Sequence, residues 1–230
     1  MAAVRAVLLD VGGVFHLPDH ARVAAALAHL DLGHDAQRCD RAHYAGVAAL
    51  ASFEEGNREV WTAYHRRYAE TLGATGAQLD AATDTLADTF LGDDMWTRVI
   101  PGSRDALVEL AAAGYTLAIV SNATGTVEAQ LRANAICQVG PGPGVTVDAV
   151  IDSSVVGYAK PDPRIFEITL ERLGVAPAEA VHVGDTPGAD VAGARAAGIR
   201  PILVDPHDDH PHLEVERVRS LAEVPALVRE

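Results

Sequence analysis

Unbroken runs of apolar residues recur along the chain and predict strands that are buried on both faces. The first run covers Val4–Leu9, is interrupted only by Arg5, and ends at Asp10, after which two glycines follow closely. Similar runs predict four further strands, at Tyr115–Val120, Val147–Ile151, Ala180–Val183 and Pro201–Val204. Runs of this kind are typical of the central strands of a parallel sheet.

Stretches with helical periodicity separate these strands, and several of them stop at a glycine. They are Ser103–Ala113, Thr126–Ala135, Pro163–Leu173 and Ala189–Ala197. Strands that alternate with helices imply right-handed crossovers between parallel strands. The pattern therefore predicts an α/β fold, with a parallel Rossmann-like sheet flanked by helices on both faces.

The segment from Pro18 to Trp96 has a different character, because it contains helical stretches and no clear strand pattern. The predicted helices are His20–Leu30, Ala36–Leu50, Arg58–Leu72 and Ala77–Phe90. In the third, Trp61, Tyr64, Tyr68 and Leu72 share one face, which we interpret as a face packed in a core rather than a ligand site. We expect a separate helical module over residues 16–96, inserted into a core made of residues 1–15 and 97–230.

Composition and charge exclude several classes of function. The 230 residues carry a formal net charge of -14, so they repel polyanions and a nucleic-acid partner is not expected. No stretch approaches the roughly 18 apolar residues of a membrane span, and the N-terminus lacks the layout of a signal peptide. Two distant cysteines, Cys39 and Cys137, predict buried thiols rather than a disulfide framework. We expect a soluble cytoplasmic protein whose oligomeric state the sequence leaves open.

Two loops have compositions with more than one interpretation. Cys137–Val145 is rich in glycine and proline and is predicted to be an exposed, mobile loop. Pro206–Pro211 contains two histidines and two aspartates, which could bind a metal. We favour a solvated loop there, because the spacing matches no fixed set of metal ligands.

Polar residues cluster where the predicted strands end. Asp10, Gly12 and Gly13 follow the first strand, and Ser121 and Asn122 follow the second. Gly184 and Asp185 close a later strand, Asp190 begins the next helix, and Lys160 precedes a proline. Ligands of open parallel sheets bind outside the carboxyl ends of the strands. We therefore expect these residues, which are distant in the chain, to converge in space.

Each residue type at these strand ends has a chemical use and a purely structural alternative. A buried carboxylate such as Asp10 can attack phosphorus once a metal screens its charge, and flanking glycines let backbone amides approach phosphoryl oxygens. The lysine can neutralise a phosphoryl group, and paired aspartates suit Mg²⁺. The alternatives are helix caps, a surface lysine and an aspartate satisfied by a helix dipole.

The ordered set resembles the four motifs of the haloacid dehalogenase (HAD) superfamily. Residues 10–14 resemble its first motif, Ser121 its second, Lys160 its third, and Gly184-Asp185 with Asp190 its fourth. The inserted helical module resembles the cap domain of that family. The resemblance implies that Asp10 is a nucleophile that forms an aspartyl-phosphate on a small phosphorylated substrate.

The same resemblance implies which residues bind the cofactor and the phosphate. Mg²⁺ would be held by Asp10, the Gly12 carbonyl and Asp185, with support from Asp190. Ser121 and Lys160 would bind phosphate, and we add the neighbouring Gly12, Gly13 and Asn122 as phosphate-binding candidates. Asp10 and Lys160 are thus the expected catalytic residues.

The first motif departs from that of most phosphatases in the family, which carry a second aspartate two residues after the nucleophile. Gly12 occupies that position here. General acid–base help of this kind typically contributes about 10²–10⁴-fold in rate. We considered His16, Asp19 and His43 as replacements and favour none of them.

Two alternative functions follow from this departure. The related 2-haloacid dehalogenases also lack the second aspartate and need no metal, but they have a different fourth motif, so Gly184-Asp185 favours phosphate chemistry. A catalytically weak protein that binds a phosphorylated ligand is the other alternative.

Overall fold

The fold is built on a six-stranded sheet in which all strands run parallel. The computed structural model describes residues 3–32, 35–50, 58–92 and 95–229. Its strands are β1 (Ala6–Leu9), β4 (Thr116–Ser121), β7 (Ala149–Asp152), β8 (Ala180–Gly184), β9 (Arg200–Val204) and β10 (Glu216–Val218). They lie in the order β10-β9-β8-β1-β4-β7 across the sheet. The predicted fold class is confirmed.

Alternate residues of the central strand explain why its apolar run is continuous. Val7 and Leu9 belong to a hydrophobic cluster on one face of the sheet, and Ala6 and Leu8 belong to a second cluster on the other face. All four side chains are fully buried. A strand covered on both faces needs apolar residues at every position, as the sequence predicted.

Helices cover both faces of the sheet. They are α5 (Ser103–Ala112), α6 (Val127–Ala133), α7 (Ser153–Val156), α8 (Pro163–Leu173), α9 (Ala192–Ala196) and α10 (Val224–Leu227). Helix α8 shows how local sequence sets its ends: the Asp162 carboxylate accepts the Arg164 amide, Pro163 is the first helical residue, and Gly174 adopts a left-handed conformation. Its predicted bounds are correct.

The inserted segment is helical in the part that the structure describes. It contains α1 (His20–Leu27), α2 (Ala36–Ala48), α3 (Arg58–Leu72) and α4 (Gly76–Thr89). Strands β2 (His16–Pro18) and β3 (Trp96–Val99) form an antiparallel ribbon at its two ends. The helices have a hydrophobic cluster of their own, in which Tyr64, Tyr68 and Leu72 are buried. The aromatic face of α3 therefore packs in a core, as expected.

Three local predictions were wrong or incomplete. The predicted strand Val147–Ile151 is broken at Asp148, whose carboxylate accepts the Leu117 amide at 2.8 Å. Strand β6 (Val145–Val147) instead pairs with β5 (Cys137–Val139), so the segment predicted to be an exposed loop starts with a buried strand. Edge strand β10 was missed because charged residues interrupt its apolar pattern.

Both cysteines are free and buried, as the sequence predicted. Among the described residues, no helix combines the length and the apolar character needed to cross a membrane.

Candidate active site

Three of the polar residues predicted to converge lie at the ends of neighbouring strands. Asp10 follows β1, Ser121 is the last residue of β4, and Asp185 follows β8. Strand β1 lies between β4 and β8 and is parallel to both, so all three ends meet at one edge of the sheet. The Asp10 amide also donates to the Val183 carbonyl at 2.9 Å, which extends the pairing of β1 with β8 to Asp10.

Lys160 links two of the aspartates. Its ammonium lies 2.7 Å from Asp10 Oδ1 and 2.7 Å from Asp190 Oδ1. The side chain is 2% exposed, so Lys160 is a buried cation. The alternative interpretation, an exposed surface lysine, is wrong. Asn122 holds the lysine backbone, because its Oδ1 accepts the Lys160 amide at 2.8 Å and its Nδ2 donates to the Lys160 carbonyl at 2.9 Å.

Asp10, Asp185 and Asp190 form a buried acidic cluster. Their relative exposures are 8%, 4% and 1%, and one oxygen from each lies within 4.8 Å of the others. Lys160 pairs with only two of the three carboxylates, Asp10 and Asp190, which leaves the cluster with an excess of negative charge. Buried oxygen ligands of this kind suit a hard divalent cation such as Mg²⁺. The residues present therefore fit the metal that the motif pattern implies.

Asp190 is fully engaged by neighbouring donors. His182 Nε2 lies 2.8 Å from Oδ1, which also receives the Lys160 ammonium, and the Thr186 amide donates to Oδ2 at 2.9 Å. The four motifs do not include His182, and the sequence signal that could have found it is a histidine inside an otherwise apolar strand. These contacts favour a supporting role for Asp190 over direct metal binding.

Burial and charge shift the pKa values within this cluster in opposite directions. Burial raises the pKa of Asp10 to about 7, although the Lys160 ammonium opposes the shift. Burial would also raise the pKa of Asp190, but Lys160 and His182 outweigh it and hold that pKa well below its usual range. Burial alone would lower the pKa of Lys160, and the two carboxylates reverse this and raise it.

The helical insertion contributes two side chains that the motif pattern does not place in the site. His43 Nε2 lies 2.9 Å from Asp185 Oδ2, and the Tyr44 hydroxyl donates to the Gly13 carbonyl at 2.8 Å. The other two residues considered beside His43 lie elsewhere. His16 is buried next to Asn134, and the Asp19 carboxylate caps α1 by accepting the amides of Ala21 and Arg22.

The loop Pro206–Pro211, whose composition allowed a metal site, instead contacts the helical insertion. Arg41 on α2 forms a bidentate ion pair with Asp209, with distances of 2.8 and 2.7 Å. The Asp205 carboxylate accepts the amides of Asp209 and His210 and so fixes the loop. These contacts agree with the prediction of a loop rather than a metal site. The loop is not simply solvated, however, because Asp209 binds α2 through Arg41.

A family model described as a haloacid dehalogenase-like hydrolase matches residues 4–198 of the chain. The chain belongs to this hydrolase family. The HAD resemblance of its motifs is thereby confirmed, and the protein is an enzyme.

Two curated relatives of this HAD hydrolase carry phosphatase names. The chain is 34% identical over 176 residues to phosphoserine phosphatase from Thermus thermophilus, and the match covers 76% of this chain and 66% of the relative. It is 32% identical over 171 residues to ribulose-1,5-bisphosphate 5-phosphatase from Halopiger xanaduensis, covering 68% of each protein. The chain thus spans about two thirds of the length of these relatives.

Solved structures share the fold at lower identity. A dehalogenase with an intermediate complex matches this HAD hydrolase with a TM-score of 0.60 at 20% identity, covering 100% of this chain and 99% of that chain. A likeness this distant shows the fold and does not separate phosphatases from dehalogenases.

The first motif of this HAD hydrolase contains two glycines with different constraints. Gly13 has φ of 64°, and a Cβ built there would lie 2.0 Å from Asp185 Oδ2. A Cβ built at Gly12 would meet only the Trp96 ring, at an ordinary contact distance of 3.6 Å. Gly13 is therefore required by the approach of Asp185, whereas the space at Gly12 admits a small side chain.

We predict that Gly13→Ala destabilises the protein by about 1–3 kcal/mol, because alanine at this φ is strained and its methyl group displaces Asp185. Urea denaturation measures the effect. Gly12→Ala is the matched control and should unfold near the native midpoint. Equal midpoints for the two variants would contradict the prediction.

We also predict a pH dependence of stability in the metal-free protein that originates at Asp10. The unfolded pKa of aspartate is about 3.9, and the folded pKa of Asp10 is about 7. Between these values the unfolded chain releases the proton while the folded protein retains it. The stabilisation is therefore fully present below about pH 4 and is lost as pH rises to 7, a change of roughly 2–4 kcal/mol.

Urea midpoints of the native protein and Asp10→Asn at pH 5 and pH 8, both with EDTA, test this expectation. The native protein should lose stability relative to Asp10→Asn between the two pH values. The comparison is needed because burial lowers the pKa of His16 and of His65 to about 4, which changes stability with the opposite sign in the same window. A constant difference between the two proteins would contradict the assignment.

Proposed function

We propose that this enzyme is a Mg²⁺-dependent phosphomonoesterase that acts on a small phosphorylated metabolite through an aspartyl-phosphate at Asp10. The observation that supports it most is the buried cluster of Asp10, Asp185 and Asp190 at the carboxyl edge of the sheet, with Lys160 paired to Asp10 and Asp190. The phosphatase names of the two relatives support the same reaction.

In the proposed reaction, an Asp10 carboxylate oxygen forms a bond to phosphorus and the bond from phosphorus to the ester oxygen breaks; the departing oxygen takes a proton from solvent water and leaves as the alcohol. A second water then attacks phosphorus, the bond from phosphorus to the Asp10 oxygen breaks, and the proton that this water loses returns to the solvent as Asp10 and inorganic phosphate are freed. Splitting hydrolysis in this way replaces one difficult step by two easier ones. Asp10 can attack only when ionised, and burial raises its pKa. Lys160 lowers that pKa, and a bound Mg²⁺ would lower it further.

Asp10, Asp185 and the Gly12 carbonyl would hold Mg²⁺, with Asp190 supporting the site through Lys160. The bound ion would neutralise charge on the nucleophile and the phosphoryl group. Lys160 contributes a fixed ammonium, and Ser121 with the backbone amide of Gly12 would bind phosphoryl oxygens. The Gly13 amide, also expected from the sequence to bind phosphate, instead donates to the His16 carbonyl at 2.9 Å within the same turn. The Asn122 side chain would not bind phosphate itself, because its amide is hydrogen-bonded to the backbone of Lys160. It would instead hold Lys160 in position.

The acidic cluster also favours this reaction over metal-independent dehalogenation. Displacement of halide by Asp10 needs no further carboxylates near the nucleophile, and burying Asp185 unpaired with a cation would cost free energy. Both buried cysteines are free, which supports the proposed location in a reducing cytoplasm.

Hydrolysis of p-nitrophenyl phosphate, phosphoserine and ribulose 1,5-bisphosphate, measured with Mg²⁺ and with EDTA, tests the proposal. We expect phosphate release that needs Mg²⁺ and returns when the ion is restored. Halide release from 2-chloropropionate in EDTA would instead support a dehalogenase. Binding of phosphate esters without turnover over a broad panel would support a ligand-binding protein.

A further inference from the structure

We propose that His43 is a positioning residue for the metal site, supplied by the helical insertion, and that it makes metal binding depend on docking of α2 against the core. The inference rests on the proposed metal-dependent function. It adds a residue outside the four motifs and links the metal site to a part of the chain that carries none of the proposed metal ligands.

Two hydrogen bonds of the His43 ring connect Tyr64 on one side to Asp185 on the other. His43 is 2% exposed, with Nε2 lying 2.9 Å from Asp185 Oδ2 and Nδ1 lying 2.9 Å from the Tyr64 hydroxyl. A carboxylate only accepts, so Nε2 carries the proton and donates to Asp185. Where Nε2 alone carries a proton, Nδ1 accepts from the Tyr64 hydroxyl. Burial raises the pKa of Tyr64 well above its usual range, so its hydroxyl keeps the proton that it donates.

Aromatic side chains hold the imidazole ring in this orientation. The rings of Tyr44, Tyr64 and Trp96 lie 4.9, 6.0 and 5.4 Å from it, each in an edge-on arrangement. Rotation of the imidazole would break contacts on several sides and both hydrogen bonds. The ring is therefore a rigid donor and not a mobile surface group.

Asp185 receives a fixed donor on each of its oxygens. His43 donates to Oδ2, and the Thr186 hydroxyl donates to Oδ1 at 2.9 Å. Each oxygen keeps a lone pair for a cation. Hydrogen bonds of this kind orient a metal ligand, and their removal typically lowers metal affinity about 10–100-fold. Without His43, Oδ2 of Asp185 would lose the hydrogen bond that holds it in this orientation.

The donor reaches Asp185 only when α2 is docked. The same helix bears Tyr44, which donates to the Gly13 carbonyl, and Arg41, which pairs with Asp209. Gly13 and Asp209 belong to the core, so these contacts and the His43 bond form together. If docking raises the affinity for Mg²⁺ by a given factor, Mg²⁺ must favour docking by the same factor.

Calorimetric titration of the purified full chain with Mg²⁺ tests the proposal. His43→Leu removes the donor, and we expect its affinity for Mg²⁺ to fall about 10–100-fold. His43→Gln retains an N–H near the position of Nε2 and should restore most of that affinity. Tyr64→Phe removes the hydroxyl that fixes the ring and should have an intermediate effect.

His65→Leu is the matched control. His65 is buried in the same insertion, and within the described part of the chain neither of its ring nitrogens has a hydrogen-bond partner. Its replacement should perturb packing while leaving the Mg²⁺ affinity near that of the native protein. Equal losses of affinity in His65→Leu and His43→Leu would show a general folding effect and would overturn the proposal.

Hydrogen exchange of α2 provides a readout that does not depend on catalysis. Mg²⁺ should increase the protection of α2 amides in the native protein and in His43→Gln, but not in His43→Leu. If the native protein binds Mg²⁺ and His43→Leu binds it equally well, this inference alone is wrong. If the native protein binds no Mg²⁺, the proposed metal-dependent function fails and the inference fails with it.

Discussion

Asp10→Asn is expected to reduce the Mg²⁺-dependent hydrolysis of p-nitrophenyl phosphate by at least about 10³-fold, since the proposed nucleophile is lost. Asparagine preserves the shape of the side chain, but its amide is a poor nucleophile. It also removes one negative charge from a cluster in which Asp10 and Asp190 flank one ammonium. The measurement is kcat for both proteins under saturating Mg²⁺, with circular dichroism to show that the variant is folded.

Asp152→Asn is a suitable control for this prediction. Asp152 is also a buried aspartate at the end of a sheet strand, but its oxygens accept the amides of Gly125 and Ser154. One asparagine oxygen can accept the bond that caps α7, but the NH2 group would face the Gly125 amide, so we expect a lower urea midpoint. We expect kcat to stay within roughly threefold of the native value, because Asp152 bonds to backbone amides and does not belong to the acidic cluster. A folded Asp10→Asn enzyme with near-native activity would remove Asp10 from the mechanism.

The second large effect is expected at Lys160, which is the only lysine among the 18 basic residues of the chain. All the others are arginines. Lys160 is also the cation buried between two carboxylates at 2.7 Å. A compact ammonium fits between two such oxygens, whereas a planar guanidinium needs more space and a different set of acceptors. The exceptional use of lysine here is consistent with that constraint.

Lys160→Met should lower the free energy of unfolding by roughly 3 kcal/mol, because it leaves Asp190 buried without its cation. The loss lies at the low end for a broken buried ion pair, since Asp10 can take up a proton. Lys160→Arg keeps the charge but not the shape, and we expect at least about 10²-fold lower kcat from it. Urea denaturation and the p-nitrophenyl phosphate assay measure the two effects.

Arg164→Lys provides the contrasting substitution. Arg164 pairs with Asp162 on the surface, and its side chain is 56% exposed. Exchange of one cation for the other should leave both the urea midpoint and kcat close to the native values, because exposed ion pairs contribute little. Native stability and activity in Lys160→Arg would show that the buried site does not require an ammonium.

The residues whose convergence was predicted correctly lie at strand ends, where a local sequence pattern can be combined with a general rule of α/β folds. Asp10 and Asp185 each follow a short apolar run, and Ser121 ends another. A run of this type predicts a buried parallel strand, and the ends of adjacent parallel strands share an edge. The convergence of the three was therefore predictable without knowledge of any side-chain contact.

The contacts that were not predicted join distant segments of the chain. His43 and Asp185 are separated by 142 positions. Nothing in the pattern of polar and apolar residues along α2 distinguishes His43 from the other polar residues of that helix. Asn122 was predicted to bind phosphate, yet its amide is bonded to the backbone of Lys160. A side chain with several possible partners takes the one that the fold brings close, and the sequence does not specify that distance.

Hydrophobic periodicity and turn residues act over a few positions, so the amino-acid sequence was enough to predict the central strands, the helical insertion and the order of the charged groups at the strand ends. It was not enough to predict which groups touch: Lys160 lies between Asp10 and Asp190, and His43 lies against Asp185. Hydrogen bonds and ion pairs require distances near 3 Å. Packing of the whole chain sets those distances.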